Sequence, residues 1–536
     1  MPIGEARHGG HQQAHQFAAA GPRVPLGVLT AMDTTGKLET EQKYDAGTSA
    51  VLPDLQVIEG VDRVAEPVTD QLEAVYFDTP ALALAARRIT LRRRTGGADE
   101  GWHLKLPAGA DQREEIHAPL GQPETVPEEL SDHLQVLIRG DELEPVARLS
   151  TRRTTYRLYG PGGEHLADFA DDHVHAEALR PQGPAVDWRE WELELVHGTA
   201  ELFEAAAATL TSTGAGHSAF PSKIARALGD AWPAEFSPRT PKPRKKGPAV
   251  DVVTAYIDAR IGDFIANDPG VRMGAPDSVH KMRSATRRAR SALATYRKLF
   301  NRSAVRELQA ELKWLGQVLG PARDAEVMLE RLRQHILELP EEQRSGLLAE
   351  MIDQELVTAH DAGYRNVLET LRTGRYFRLL GSLEDFRDHP PAKPRAFRPA
   401  RKVTAKLVNK AAKRVERARK AVKGSADRAA RDTALHEVRK DAKRLRHAGE
   451  SVLEIHGKRA AKLTKAAGRL QTVLGDHQDS VMATALLRRL AATKHRPADA
   501  DRGFAGLLEM EERIARKTQN KARKAGKKLR GLRLRP

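Results

Sequence analysis

The chain has 536 residues, enough for two or more domains, and its net charge of +16 divides sharply: residues 1–236 hold 21 Lys and Arg against 37 Asp and Glu, net −16, while 237–536 hold 67 against 35, net +32. There is no cysteine, which excludes disulfides, thiolate metal sites and cysteine nucleophiles and fits a cytoplasmic protein. No apolar run approaches the roughly 20 residues that span a bilayer, and no charged-then-apolar leader opens the chain, so neither a membrane partner nor secretion is expected.

Residues 1–36, rich in His, Gln, Ala and Gly, read as a flexible lead-in. Alternating runs then predict strands at 38–44, 73–78, 89–94, 102–106, 152–159, 165–174 and 188–196, with short helices at 199–211 and 222–228. A Pro-rich, basic stretch at 233–248 reads as a linker. Beyond it the pattern is helical, broken at Asn267-Asp-Pro-Gly270 and Asp388-His-Pro-Pro391. His280-x-x-Arg283-x-x-x-Arg287-x-x-Arg290 recurs as His436-x-x-Arg439-x-x-x-Lys443-x-x-Arg446, and Leu319-Gly320-x-x-Arg323-Asp324 as Leu474-Gly475-x-x-Gln478-Asp479. Two features at nearly one offset predict a duplication, with helical bundles at 249–390 and 400–530 packed about an approximate two-fold axis.

Residues two apart on a strand point the same way. Glu39, Glu41 and Lys43 therefore occupy one face, as do Arg92 with Arg94, Lys105 with His103, Arg113 with Glu115, and Glu190 with Glu192 and Glu194. Turned outward, these faces would be solvation; turned inward by a closed sheet, they would line a charged tunnel. Arg and Lys suit the oxygens of a linear triphosphate, and paired carboxylates suit Mg²⁺ or Mn²⁺. Only one of Arg152 and Arg153 can face inward, and Arg153 is favoured; Asp168 and Asp172 lie on one face, with Asp171 opposite. His173 and His175 read as surface histidines. No GxxxxGK[ST], HExxH or GxSxG pattern is visible, which argues against P-loop ATPases, helix-borne zinc proteases and elbow-type serine hydrolases.

Glu39-x-Glu41-x-Lys43, followed in order by Arg92-x-Arg94, Lys105, Arg113-x-Glu115, Arg153, Asp168–Asp172, the Glu-x-Glu strand and Ser222-Lys223, resembles the CYTH domains, the triphosphate tunnel metalloenzymes, over about residues 37–230. That resemblance implies an α+β first domain at 37–232, built on an eight-stranded antiparallel tunnel. It implies Glu39, Glu41, Glu192 and Glu194 as metal ligands, with Glu190, Asp168 and Asp172 as further candidates, and Glu39, Glu41 and Lys43 as catalytic residues. Lys43, Arg92, Arg94, Lys105, Arg113, Arg153 and Lys223 would bind phosphate.

In the second half, positions i, i+3, i+7 and i+10 fall on one helical stripe. His280, Arg283, Arg287 and Arg290 form a cationic seam, and His436, Arg439, Lys443 and Arg446 form its counterpart; Arg288, Lys440 and Arg444 widen them. Like charges on a stripe repel, and a bound polyanion reverses that sign. These helices and the Arg323 segment resemble a CHAD domain, an all-helical module associated with inorganic polyphosphate, over about 249–530; Gln478 departs by standing where the first copy has Arg323. Few aromatic residues are present for base stacking, so nucleic acid is the less favoured partner, although the basic tail at 523–530 would touch either polymer. The chain is thus expected to hydrolyse a triphosphate, with inorganic triphosphate first, and to bind polyphosphate at granules in the cytoplasm. Class IV-type adenylyl cyclase, thiamine triphosphatase and a non-catalytic tether are the alternatives. Polyphosphate affinity should rise from about pH 8 to 6 as His280 and His436 protonate.

Overall fold

The structure is a computed structural model and describes residues 37–109, 112–236, 240–493 and 500–536. The expected lead-in at 1–36 and part of the expected linker, 237–239, lie outside the described residues. The strands are β1 (Lys37–Ala46), β2 (Arg63–Val64), β3 (Val68–Asp78), β4 (Thr90–Thr95), β5 (Gly101–Pro107), β6 (Gln112–Ala118), β7 (Glu144–Tyr159), β8 (His165–Ala178), β9 (Val186–Leu195) and β10 (Gly216–His217). Their order is β10-β1-β6-β5-β4-β3-β7-β8-β9, and β9 pairs back onto β1. Leaving aside the two-residue strands β2 and β10, eight antiparallel strands close a barrel with no free edge.

The alternation of β1 becomes intelligible once the barrel closes. Glu39, Glu41 and Lys43 line the inside, while Tyr44 is fully buried on the outside. Around Tyr44, an outer patch of Phe169, Trp191 and Leu193 is sealed by Leu202, Phe203 and Leu210 of α2 (Glu201–Ser212). A second outer patch, Leu91, Trp102, Leu104 and Ile116, lies under Leu130, Leu134 and Ile138 of α1 (Glu128–Ile138). Each such fully buried leucine or isoleucine contributes about 1.5–3 kcal/mol. The barrel thus keeps apolar surface beneath its helices and charge within. One end of the lumen is apolar, with Ala74, Leu149, Val174, Ala176 and Trp188, and it is closed by Ile224, Ala227 and Leu228 of α3 (Lys223–Leu228).

The second half is all-helical: α4 (Ala249–Arg272), α5 (Ser278–Tyr296), α6 (Arg302–Val318), α7 (Gly320–Glu338), α8 (Gly346–Leu371), α9 (Gly374–Asp388), α10 (Ala400–Ala421), α11 (Arg428–Glu450), α12 (Leu453–His456), α13 (Lys458–Ala491) and α14 (Ala500–Leu529). The expected break at 267–270 is displaced. Helix α4 runs through Pro269 to Arg272, where Arg272 grips the buried Asp268 at 2.6 Å and reaches the Leu371 carbonyl at 2.8 Å. Those bonds hold the last turn together despite proline's missing N–H. The two copies do not form separate bundles. One core joins α4, α5 and α9 to α10, α11 and the start of α13, and the other joins α7 and α8 to the end of α13 and the start of α14. Ser291 is hydrogen-bonded to His447 at 3.0 Å, 156 residues away, which is its own counterpart at the repeat offset. A residue that meets its own equivalent lies on a two-fold axis, so α5 and α11 cross at the axis the duplication predicts.

Helix α1 also joins the two halves. Val136 is buried in the helical core, and Arg139, in the left-handed conformation that ends α1 (φ 56°), forks onto Glu384 at 2.6 Å through both terminal nitrogens.

Candidate active site and cationic seam

The register of β1, β8 and β9 assembles the acidic wall. Glu41 stands opposite Glu194, Lys43 opposite Glu192, and Asp172 opposite Glu190. One oxygen from each of Asp172, Glu190 and Glu192 lies within 4.8 Å of the others, and all three residues are buried. The Lys223 ammonium sits among them, 2.8 Å from Asp172 and 2.7 Å from Glu190 and Glu192. Ser222 caps α3 and sets Lys223 at its first turn, aimed back into the lumen. Arg153 forks onto Asp172 at 2.8 and 2.6 Å and also meets Glu192, while Arg152 on the neighbouring position is exposed. Trp188 donates its indole N–H to Glu190 at 2.6 Å and fixes that carboxylate. The donor set is all oxygen and already draws a cation, so it could hold Mg²⁺ or Mn²⁺.

The opposite wall is basic. Arg92 and Arg94 come from β4, Lys105 from β5 and Arg113 from β6, and all four line the lumen. Lys105 pairs with Glu39, Arg94 with Asp99, and Arg113 donates to the Pro221 carbonyl at 2.6 Å. Arg92 forms no ion pair among the described residues, and its Nε, like that of Arg94, is buried without a hydrogen-bond partner. Buried donors left unmatched favour an incoming anion.

Charge state follows from this packing. Burial disfavours ionised Glu41, but Lys43 and then Lys105 outweigh it and hold the carboxyl down at about 2. Burial, and then the neighbouring Glu115, push Glu39 up to about 8. Burial also opposes the charge of Lys223, yet Asp172, Glu190 and Glu192 raise it above the ordinary lysine value.

Asp168 stands apart. It lies opposite Glu194 but bonds His165 at 2.8 Å outside the acidic trio. Glu194 pairs with Lys37 at 3.0 Å. Asp171 faces outward, where it receives Arg189 at 2.7 and 2.8 Å and the Trp191 N–H at 3.1 Å. His173 is half-buried and His175 is exposed, with His175 beside Asp187. Tyr76, Thr90 and Asp99 line the lumen without having been singled out in the sequence. Tyr76 shares the inward parity of Arg92, its partner in the register, and so had a signal; Asp99, in the β4–β5 loop, had none.

In the helical half, α5 and α11 bring the two seams together. Arg283 forks onto Asp324 at 2.7 and 3.3 Å, Arg323 reaches Glu326 at 2.8 Å, and Arg446 reaches Glu450 at 2.8 Å. Arg288 lies 3.8 Å from Glu450, Lys440 pairs with Glu437, and Arg444 lies 3.3 Å from Asp441. Arg287, Arg290, Arg439 and Lys443 have no ion-pair partner among the described residues, and the Arg439 Nε is buried unpaired. Burial, then Arg439, Arg287 and Arg283, lower Lys443 to about 7. Burial, then Arg283 and Arg439, lower Arg287 to about 10. Burial, then Arg323 and Arg287, hold His280 below its ordinary value. Gln478, the departure in the second copy, bonds His436 Nδ1 at 2.8 Å and so orients that ring. Gly320 packs beside Arg283 and Gly475 beside Arg439, in matching positions of the two copies.

Comparison with known proteins matches residues 37–228 to the CYTH domain family and residues 255–488 to the CHAD domain family. The uncharacterized protein Rv2226 of Mycobacterium tuberculosis is 39% identical over 510 residues, covering 92% of this chain and 96% of that protein. Among solved structures, the CHAD domain from the plant Ricinus communis is 23% identical, covering 56% of this chain and 98% of its own, with a TM-score of 0.44. PptA from Streptomyces chartreusis is 19% identical, covering 52% and 99%, with a TM-score of 0.43.

Proposed function

The chain belongs to the family that fuses an N-terminal CYTH domain to a C-terminal CHAD domain, and on that premise we propose that its tunnel hydrolyses a phosphoanhydride of a triphosphate, inorganic triphosphate foremost, while its helical domain binds inorganic polyphosphate. The domain pairing and the buried acidic cluster support metal-binding, triphosphate-type chemistry in general. The finer reading is carried by one observation: cations on β4, β5 and β6 share a single lumen with Glu39, Glu41, Glu192 and Glu194, Glu192 also belongs to the buried trio with Asp172 and Glu190, and β4 carries unpaired guanidinium donors.

In this reading Arg92, Arg94, Lys105 and Arg113 grip the phosphate oxygens and align the chain along the tunnel. Asp172, Glu190 and Glu192, with Glu39, Glu41 and Glu194 nearby, would hold Mg²⁺ or Mn²⁺. Such an ion neutralises phosphate oxygens and makes bound water a better nucleophile. Water attacks the terminal phosphorus, the bond to the bridging oxygen breaks, and Lys43, Arg153 and Lys223 exchange carboxylate partners for the charge developing on the leaving diphosphate. The apolar plug beneath α3 keeps water from entering behind the acidic wall.

The test is a panel of inorganic triphosphate, ATP and thiamine triphosphate with Mg²⁺, Mn²⁺ and Ca²⁺, read as phosphate and as cyclic AMP. Phosphate release strongest from inorganic triphosphate, and abolished by EDTA, is expected. Cyclic AMP without free phosphate would replace hydrolysis by cyclisation, and no turnover of any member would leave the tunnel a binding device.

A further inference from the structure

The sequence singled out cationic stripes on α5 and α11, and the fold adds a third. Lys410, Arg414 and Arg417 follow one another on one face of α10, and all three are exposed. They border a cleft of about 490 Å³ between α5, α6, α10 and α11. Ten of its sixteen lining residues are Lys or Arg and none is Asp or Glu. Asp441 is the carboxylate at its border, nearly buried and engaged by Arg414 at 2.8 Å and Arg444 at 3.3 Å. The cleft is continuous with the seam, because Arg287, Arg290, Lys440, Lys443 and Arg444 belong to both.

The other copy lacks this feature. Helix α4 begins after Pro248 as α10 begins after Pro399, and the two prolines form a bridge across the axis. Counted from those prolines, Lys410, Arg414 and Arg417 correspond to Ala259, Asp263 and Ala266. The duplication is therefore broken in charge on one side only.

Resting on the polyphosphate reading above, we propose that the α5–α10–α11 cleft is a one-sided extension of the seam, holding the continuation of a linear polyphosphate and giving the bound polymer a single exit direction. The seam and cleft together run roughly 25 Å along α5 from His280 to Arg297 at about 1.5 Å per residue, so a short phosphate chain can be held at the end of the seam formed by His280, Arg283, His436 and Arg439, which lies outside the cleft, without reaching α10. A cleft with no lining carboxylate among the described residues suits a ligand that is charged at every repeat. It also has no aromatic lining residue, so it offers no platform for stacked bases, which favours polyphosphate over single-stranded nucleic acid.

The experiment measures binding of long-chain and short-chain inorganic polyphosphate to the full chain in EDTA. It compares wild type with Lys410→Ala/Arg414→Ala/Arg417→Ala and with the charge-preserving Lys410→Arg/Arg414→Lys/Arg417→Lys. The alanine variant is expected to lose about tenfold or more of long-chain affinity and to flatten the slope of log affinity against log salt by about 2, in line with three lost phosphate contacts. Short-chain affinity and triphosphate hydrolysis stay unchanged, and the charge-preserving variant binds as wild type does. Equal long-chain binding by wild type and the alanine variant overturns the extension alone. Failure of wild type to bind any polyphosphate overturns the reading it rests on, and the extension with it. An oligonucleotide that binds more tightly than polyphosphate and is lost in the alanine variant overturns the ligand class.

Discussion

Lys443 shows how the fold sets the charge of a single residue. Its ordinary value near 10.5 is lowered to about 7 because it is buried beside Arg439, Arg287 and Arg283. Between about pH 7 and 10.5 the unfolded chain holds a proton that the folded chain has shed, so stability rises with pH across that window; below it the cost of the buried ammonium is fully present. Lys443→Met should therefore raise the melting temperature at pH 7 by at least about 2 °C, with the gain shrinking towards pH 10; a lowered melting temperature at pH 7 would contradict the assignment. A polyanion restores the proton, so affinity for polyphosphate should fall by up to about tenfold per pH unit from 7 to 9, and Lys443→Arg should flatten that dependence. Sequence spacing put Lys443 on the seam but pointed to histidines as the pH-sensitive groups, because the arginines that crowd Lys443 come from both copies and only the crossing of α5 with α11 brings them together. The inward parity of Glu39, Glu41 and Lys43 was readable from β1 alone, whereas the separation of Asp168 from Asp172 was not: the two have one parity, and His165 at the start of the same strand draws Asp168 away.

At the scale of elements, α1 is the part the sequence did not announce. Its run of Leu130, Leu134, Val136 and Ile138 is short and wraps two faces, one against the barrel and one against the helical core, so no single apolar stripe stands out. That double burial makes α1 the joint between the halves. Arg139→Asn keeps a residue that tolerates the left-handed end of the helix while removing the fork onto Glu384, and it should cost about 1–3 kcal/mol of stability by denaturant titration. An unchanged midpoint would mean that the Arg139–Glu384 contact contributes nothing to holding the halves together. The helices of the second half were legible as helices and as a duplication. Their assembly was not, since nothing in the spacing of apolar residues says that α7 and α8 pack with α13 and α14 rather than with their own copy.

For the whole molecule, an acidic half of net −16 and a basic half of net +32 are combined in one chain. The acidic half turns its carboxylates inward around cations, and the basic half gathers cations for which the chain provides few counter-charges. Polyphosphate binding should consequently weaken linearly in log salt while triphosphate hydrolysis, sheltered in the tunnel, changes far less; parallel loss of both would contradict the division of labour. Catalysis in the proposed reaction rests on the carboxylate wall. The decisive measurement is phosphate release from inorganic triphosphate with Mg²⁺ or Mn²⁺, comparing wild type with Glu41→Gln and Glu192→Gln variants shown by their melting curves to be folded. Wild type should release phosphate, and the rate should fall by at least about a hundredfold in each variant. Wild-type rates in folded Glu41→Gln and Glu192→Gln would contradict it.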